Sequence, residues 1–224
     1  MYQIGASMKH SSTAIAQLLL EAGAVVLSPD RPFRFASGIL SPIYCDNRLL
    51  LAQVSARRTI TEAMCQQISD ELLNTEVIAG TATAGVPWAA WVAHELSLPM
   101  AYVRSGAKKY GRGQQVEGGV QANQRVVVIE DLISTGGSSL DAVAGLRQIN
   151  ALVADCFAIF TYEMEESKQR FNAAGVRLMT LTNLSTLLDV AAQQNYIRAE
   201  HRSLISDWAS DPAGWADRAG ISAE

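Results

Sequence analysis

Two acidic residues followed by a run of small residues form the stretch of the sequence with the clearest potential for chemistry. Glu130 and Asp131 precede the loop 134–138, which reads Ser-Thr-Gly-Gly-Ser. Glycines allow backbone N–H groups to approach an anion closely, whereas carboxylates repel a phosphate and bind hydroxyl groups or a hydrated cation instead. The stretch therefore predicts a site for a sugar that carries a 5′-phosphate, with the phosphate in the loop and the hydroxyls on the acids.

The elements on either side of this loop are predicted to be a strand and a helix. Residues 126–129 form a β-branched run suited to a parallel strand buried on both faces, and we expect the two acids to lie where that strand meets solvent. No Lys follows Gly137 and no Gly-x-Gly-x-x-Gly opens the helix, so neither of the common nucleotide-binding loops is present. The start of a helix favours an anion through its free N–H groups and its dipole. The helix is indicated by apolar residues at the spacing of one helix face, namely Leu140, Val143, Leu146 and Ile149.

The pattern at 130–138 resembles the motif that binds phosphoribosyl pyrophosphate (PRPP) in type I phosphoribosyltransferases. Residues 33–48, which we call the hood, resemble the N-terminal region of one branch of that family, the orotate phosphoribosyltransferases. On composition alone the hood is equally compatible with a plain surface hairpin. The resemblance rests on Ser37-Gly38, Ser41-Pro42-Ile43-Tyr44 and Asp46-Asn47-Arg48, although many members have Lys where this chain has Ala36. It implies transfer of the phosphoribosyl group of PRPP to orotate, giving orotidine 5′-monophosphate and pyrophosphate in pyrimidine (UMP) biosynthesis.

Two further loops follow strands that the sequence predicts at 76–80 and 100–103. The first offers the hydroxyls of Thr81 and Thr83 close to a helix start marked by proline, which lacks an N–H, and the resemblance implies that this loop contacts pyrophosphate. The second, 105–119, holds five glycines, three cations and no apolar period. Such a segment is either a solvated surface or a functional lid, and we favour the lid because an acidic chain needs cations to bind PRPP.

The resemblance also assigns roles to residues. Arg104 and Lys108 match the catalytic cations of the family's mobile loop. Two residues depart from the family pattern: Ser105 stands where many members have a second basic residue, and Tyr110 stands where most have His. Tyr is neutral near pH 7. Ser134 and Ser37 are implied on the orotate side. The implied PRPP-binding residues are Arg104, Lys108, Tyr110, Glu130, Asp131, Leu132, Ile133, Ser134, Thr135, Gly136, Gly137 and Ser138.

The cofactor and the assembly also come from the resemblance. It implies Mg²⁺ as the cofactor, held mainly by substrate oxygens and water, so that no metal-binding residues are expected in the chain. It further implies a homodimer whose mobile loop reaches into the partner's site. Orotate and PRPP are the expected small-molecule partners.

Composition and charge limit the other function classes. The net charge of −4 argues against a broad nucleic-acid-binding face. Cys45, Cys65 and Cys156 are odd in number and lack C-x-x-C spacing, so neither a disulfide framework nor a zinc site is expected. Gln17 and Glu21 interrupt the first apolar stretch, so a signal peptide is not expected. No apolar run approaches membrane-spanning length. We therefore expect a cytoplasmic protein with no nucleic-acid or membrane partner.

The order of predicted elements indicates the fold class. Alternating strands and helices predict an α/β fold, a central and mostly parallel sheet flanked by helices with ligands at the carboxyl ends of its strands. By resemblance, 1–224 forms a single type I phosphoribosyltransferase-like domain. Its N-terminal helix and the hood lie within about 1–50, its core within about 51–200 and a C-terminal extension at about 201–224. Trp208 and Trp215 predict that the extension packs against the body or another subunit.

Two rival functions remain open at this point. One is a PRPP-binding regulator without the chemistry, and the other is a phosphoribosyltransferase for another nucleobase. A regulator would need a nucleic-acid-binding module, but residues 1–30 contain Lys9 as their only Lys or Arg. The hood disfavours another base.

Overall fold

The N-terminal part of the chain consists of a helix and short strands. The structure, a computed structural model, describes residues 10–35, 38–106 and 115–221. Pairing of the short strands gives two small antiparallel sheets, β1 with β4 and β2 with β3. A 3₁₀ helix at Asn47–Ala52 then leads into the core. The elements before it are α1 (Ser12–Glu21), β1 (Val25–Leu27), β2 (Phe33–Arg34), β3 (Leu40–Ser41) and β4 (Ile43–Cys45).

The core is one six-stranded sheet flanked by helices. Its strand order is β10-β9-β8-β5-β6-β7, with parallel pairing except for β7, which runs antiparallel to β6 at the edge. The predicted α/β class with a mostly parallel sheet is therefore confirmed. None of the described helices is long and apolar enough to cross a membrane. The elements are α2 (Val54–Glu71), β5 (Val77–Thr81), α3 (Gly85–Leu96), β6 (Met100–Val103), β7 (Val116–Glu117), β8 (Arg125–Ile133), α4 (Gly137–Gln148), β9 (Leu152–Thr161), α5 (Glu165–Ala174), β10 (Arg177–Asn183), α6 (Leu184–Gln193), α7 (Ala199–Ser210) and α8 (Trp215–Arg218).

Strand β8 shows why an apolar run forms the middle of this sheet. Side chains alternate between the two faces of a strand, so a strand covered on both sides needs apolar residues at every position. Val127 and Ile129 join the cluster formed with α2 and α3, whereas Val126 and Val128 join the cluster formed with α4. The β-branched run thus supplies both cores at once.

The acid pair lies deeper than the sequence predicted. We expected both acids where the strand meets solvent, but β8 continues through them to Ile133, and Glu130 is only 5% exposed. The expectation is wrong because pairing with β9 persists to the Ile133 and Thr161 pair. The first turn of α4 also covers Glu130.

The segment 105–119 is not wholly without regular structure, as its composition had suggested. Val116 is buried and pairs with Val103, so that β7 extends the sheet beyond β6. One apolar residue suffices there because the strand is only two residues long, and a periodicity analysis cannot detect it. Residues 107–114 lie outside the described part of the chain.

The C-terminal extension packs against the body of its own chain. Trp208 and Trp215 are each 1% exposed. Trp208 contacts Phe35 and Tyr162 edge to face, with ring centroids 6.2 and 5.3 Å away. Of the two packing partners that the sequence left open, the structure selects the body, because these aromatic contacts reach both the hood and the end of β9.

Candidate active site

The predicted site residues converge at the carboxyl edge of the sheet. Strands β6, β5 and β8 are neighbours, and Thr81 ends β5 while Arg104 directly follows β6. Thr81 lies opposite Val103, and Gly80 lies opposite Ile129. This register brings Thr81, Arg104 and the acid pair of β8 to the same level of one sheet edge, which is where ligands bind in open α/β sheets.

The acid pair is held by hydroxyl groups of α4. Oε2 of Glu130 accepts hydrogen bonds from Ser138 Oγ at 3.3 Å and from Ser139 Oγ at 3.1 Å, while the backbone N–H of Asp131 donates to Oε1 of Glu130 at 3.2 Å. Ser139 is fully buried and was missed by sequence reasoning, since it lies one residue beyond the motif. Glu130 is therefore aimed at α4, and Asp131 is the less enclosed of the two acids.

Burial governs the protonation of both acids. It raises the pKa of Glu130 above its ordinary value, and the neighbouring Asp131 carboxylate adds to that rise. Burial also raises the pKa of Asp131, although its hydrogen bond with Glu130 and, more weakly, the positive charge of Arg48 act in the opposite direction. Hydroxyl donors from a ligand would stabilise the ionised form of such a pair.

The loop between β8 and α4 has the backbone that a phosphate site requires. Gly136 has φ +78°, in the left-handed region, and its carbonyl accepts the hydrogen bond from the Leu140 N–H that begins α4. A Cβ at this position would lie 2.6 Å from the ring of Phe171, so only glycine fits without strain. Ser134 and Ser138 are exposed, so their hydroxyls are accessible to a ligand.

A cation that sequence reasoning missed lies beside this loop. Nη1 of Arg170, on α5, is 3.5 Å from the carbonyl oxygen of Thr135 and forms an ion pair with Glu166 at 3.3 Å. It reaches the loop from a different helix, so no local spacing in the sequence could have indicated it. Arg170 adds positive charge near the start of α4.

Two of the predicted PRPP-binding residues offer a ligand little more than their backbone. The side chain of Ile133 is buried in the core beneath α4, and its carbonyl oxygen accepts a hydrogen bond from the Tyr162 N–H at 3.0 Å. Leu132 packs against the other core cluster. The packing of both side chains therefore fixes the point at which the chain leaves β8 and enters the loop 134–138.

The part of the site at the ends of β5 and β6 contains polar atoms that have no partner among the described residues. Among the residues that the structure describes, the buried atoms Oγ1 of Thr81 and Nη1 of Arg104 have no hydrogen-bond partner. A buried donor or acceptor left unpaired costs about 1–3 kcal/mol, so two at one sheet edge point to a ligand that completes them. Thr83 is exposed in the same loop, after a cis peptide bond between Ala82 and Thr83.

The base of the 105–119 segment is tied to β6. The backbone N–H of Arg104 donates to the carbonyl oxygen of Gln115 at 3.0 Å, and Nε2 of Gln115 donates back to the carbonyl oxygen of Arg104 at 2.9 Å. These bonds hold Gln115 beside the end of β6. Three of the predicted site residues, Ser37, Lys108 and Tyr110, lie outside the described residues.

The hood reaches the acid pair directly. Nδ2 of Asn47 donates to the backbone carbonyl oxygen of Asp131 at 2.7 Å. Arg48 forms a two-pronged ion pair with Asp46, at 2.6 and 2.8 Å, and its positive charge acts on Asp131. The sequence resemblance included this tripeptide, but nothing in its spacing indicated which of its residues would contact β8.

A second cleft, of about 810 Å³, lies at the opposite edge of the sheet and is not the candidate site. Arg125, Arg147 and Arg177 line it, but Arg147 donates to backbone carbonyls and Arg177 pairs with Asp155 at 2.7 Å. The cleft lies at the amino ends of the strands, away from the acid pair. Its cations are already engaged within the chain.

The site residues fit a hydrated Mg²⁺ that arrives with its substrate. Mg²⁺ prefers hard oxygen ligands and keeps several waters, so one or two carboxylates are enough. Asp131 and Glu130 provide such oxygens at the sheet edge. Across residues 10–35, 38–106 and 115–221, no group of three or more His, Cys, Asp or Glu side chains could hold a metal ion by itself.

Comparison with known proteins gives the family to which this geometry belongs. The phosphoribosyl transferase domain family matches residues 51–184. Orotate phosphoribosyltransferase of Listeria monocytogenes serotype 4b is 49% identical over 201 residues, which cover 90% of this chain and 96% of the relative. The Coxiella burnetii protein of the same name is 44% identical over 92% of this chain and 99% of its own length. The crystal structure of orotate phosphoribosyltransferase from Aeropyrum pernix superposes with a TM-score of 0.66 at 31% identity, covering 78% of this chain and 97% of the other.

The fold is thus that of the phosphoribosyltransferases. Within that class, the chain belongs to the orotate phosphoribosyltransferase family.

Proposed function

We propose that the chain transfers the phosphoribosyl group of PRPP to orotate, releasing orotidine 5′-monophosphate and pyrophosphate, as a step of pyrimidine biosynthesis. The observation that carries the proposal is the convergence at one sheet edge of an acid pair, a glycine loop at a helix start, and the unpartnered atoms of Thr81 and Arg104. PRPP has a group for each of them: ribose hydroxyls, a 5′-phosphate and a pyrophosphate. Family membership supports orotate as the acceptor.

The reaction separates charge, and the site is arranged to stabilise both products of that separation. Breaking the bond from ribose to pyrophosphate builds positive charge on the sugar and negative charge on the leaving group, so catalysis comes mainly from positioning and electrostatics. The N–H groups at the start of α4 hold the 5′-phosphate, together with Thr135 and Ser138. Arg104, Lys108, Thr81 and Thr83 meet the pyrophosphate.

The acids and the orotate side complete the assignment. Asp131 accepts hydrogen bonds from the ribose hydroxyls. Glu130 supports Asp131, because its carboxylate is held by hydrogen bonds to α4 and accepts from the Asp131 N–H. The Asp131 carboxylate would lie beside the sugar as it becomes positive, so its charge would favour the transition state. Ser134 and Ser37 are assigned to orotate, and Tyr110 to the PRPP side of the mobile loop. Substrate oxygens and water would hold most of the shell of a Mg²⁺ ion beside Asp131 or Glu130, and the ion would supply positive charge that neutralises the pyrophosphate.

The proposed assembly is a cytoplasmic homodimer of single-domain chains, in which the loop around Lys108 serves the partner's site. A test mixes Lys108→Ala with Asp131→Ala, each of which is expected to be severely impaired. Loss of one preorganised donor costs about 10²–10³-fold in kcat. A shared site would give hybrid dimers with one intact site, so mixing restores a substantial fraction of wild-type activity. If subunit exchange is demonstrated and mixing restores nothing, Lys108 does not act in trans.

The experiment that separates the proposed function from its rivals is a base panel. The chain is incubated with PRPP, Mg²⁺ and, in turn, orotate, adenine, hypoxanthine and uracil, and pyrophosphate release is measured. Release with orotate alone supports the proposal. Release with a different base identifies another phosphoribosyltransferase, and PRPP binding without release under any base identifies a regulator.

A further inference from the structure

Asn47 is a buried amide that joins the hood to the PRPP motif. It is the first residue of the 3₁₀ helix and is 0% exposed. Its Nδ2 donates to the carbonyl oxygen of Asp131 at 2.7 Å, across 84 residues of sequence. Because a carbonyl oxygen can only accept, the NH₂ group of the amide must face Asp131. The amide oxygen then accepts from Sγ of Cys45 at 3.6 Å, so both ends of the amide are engaged.

The bond occurs where the backbone of β8 loses a neighbouring strand. The ladder between β5 and β8 ends at the pair of Gly80 and Ile129, two residues before Asp131. On its other side, β8 keeps its pairing with β9. Asn47 therefore provides a partner for the β8 backbone beyond the end of β5, at the residue whose carboxylate faces the substrate.

We infer that Asn47 is a positioning residue: by holding the Asp131 peptide, it fixes the direction of the Asp131 carboxylate for binding the ribose of PRPP. This inference rests on the proposed function. It also connects the two proposed substrate sites, because the hood, which includes Ser37 of the proposed orotate side, is bonded to the residue proposed to bind the sugar. The next residue, Arg48, is oriented by Asp46, and its positive charge acts weakly on the Asp131 carboxyl group.

The chain offers a matched control at the other end of the same 3₁₀ helix. Nε2 of Gln53 donates to the carbonyl oxygen of Ala22 at 2.9 Å, so it is also an amide that binds a distant backbone carbonyl. Its partner lies at the end of α1, and it has no bond to β8. Asn47→Leu and Gln53→Met each remove one such bond while keeping the approximate volume of the side chain.

The test measures PRPP affinity by calorimetry in the presence of Mg²⁺, with thermal unfolding as a second readout. A lost hydrogen bond that leaves a buried carbonyl unpaired is expected to weaken PRPP binding about tenfold in Asn47→Leu. Gln53→Met should lower the melting temperature without changing PRPP affinity. If Asn47→Leu does not fold, Asn47→Ser, which shortens the donor but keeps a polar group, should show the same selective loss at smaller size.

A double-mutant cycle with Asp131→Asn decides whether Asn47 acts through Asp131. If it does, adding Asn47→Leu to the Asp131→Asn variant weakens PRPP binding by much less than the tenfold expected for Asn47→Leu in the wild-type chain. Full additivity would overturn the inference, and so would an effect of Asn47→Leu on PRPP affinity no larger than that of Gln53→Met. In either case, PRPP binding by wild type would leave the proposed function standing. A wild-type chain that does not bind PRPP would refute both.

Discussion

Nε1 of Trp208 donates a hydrogen bond to the backbone carbonyl oxygen of Leu40 at 3.0 Å, and this bond ties the C-terminal extension to the hood. The same indole packs against Phe35, also in the hood. Helix α7 thereby supports the hood, the segment that includes Ser37, which is proposed to bind orotate. The contact suggests a test of whether the extension affects orotate binding through the hood.

Trp208→Phe is predicted to weaken orotate binding. The substitution keeps an aromatic ring but leaves the Leu40 carbonyl without its donor, at a cost of about 1–3 kcal/mol. We expect a lower melting temperature and a several-fold higher KM for orotate, with little change in the KM for PRPP. Steady-state kinetics with each substrate varied in turn would measure both effects.

Trp215→Phe is the matched control for that prediction. Trp215 is equally buried, and its Nε1 donates to the carbonyl oxygen of Leu204 at 2.8 Å, within the C-terminal extension. The Trp215→Phe variant should lose about as much stability as Trp208→Phe and keep the wild-type KM for orotate. An equal change of this KM in both variants would show that α7 does not act through the hood.

The stability of the chain is predicted to depend on pH through Glu130. Its pKa is raised in the folded state by burial and then by the neighbouring Asp131 carboxylate, so the folded chain binds more protons than the unfolded chain above the ordinary pKa of 4.5. Stability therefore falls as the pH rises from the unfolded pKa through the folded pKa. Glu130→Gln stays neutral, so it should gain melting temperature relative to wild type between about pH 5 and about pH 8.

Asp141→Asn provides the comparison, because Asp141 is an exposed acid on α4. Melting curves at several pH values should show the relative gain for Glu130→Gln and none for Asp141→Asn. Parallel pH profiles of wild type and Glu130→Gln would mean that Glu130 does not take up a proton in this range.

Gly136→Ala is predicted to damage the phosphate loop. The left-handed backbone, with φ +78°, disfavours any side chain, and the added Cβ would lie 2.6 Å from the ring of Phe171. Strain and overpacking together should cost about 2 kcal/mol or more of unfolding free energy. Denaturant unfolding measures this cost, and PRPP affinity should fall because the N–H groups at the start of α4 are displaced.

Gly137→Ala separates backbone strain from ligand contact. This residue lies inside α4, and the nearest atom to an added Cβ is the flexible end of Arg170 at 3.5 Å. Its unfolding free energy should stay within about 1 kcal/mol of wild type. Equal stability of the two alanine variants would contradict the role assigned to Gly136.

Local patterns were sufficient for most of the fold. Strand β6 lies at the predicted residues 100–103, and the apolar spacing after residue 139 correctly indicated α4, because burial on one or two faces leaves a period in the sequence. The glycine loop, Thr81 and Arg104 could also be found, since each lies at the end of a strand or directly after one. The structure places them at one sheet edge.

Contacts between distant segments were not predictable in this way. The burial of Glu130 depends on Ser139 and the first turn of α4, and the support of Asp131 depends on Asn47. Neither contact leaves a periodic signal, because each joins one polar atom to another across the tertiary structure. Strand β7 was missed for a related reason: its pairing with β6, rather than its own two residues, defines it.

The most direct test of the central claim is orotate-dependent release of pyrophosphate from PRPP, measured side by side for wild type and Asp131→Asn. Wild type is expected to release pyrophosphate with orotate, and the variant to show a marked rise in the KM for PRPP, since a carboxylate accepts from hydroxyls more strongly than an amide. No release with orotate, or release with unchanged PRPP kinetics in Asp131→Asn, would contradict the central claim.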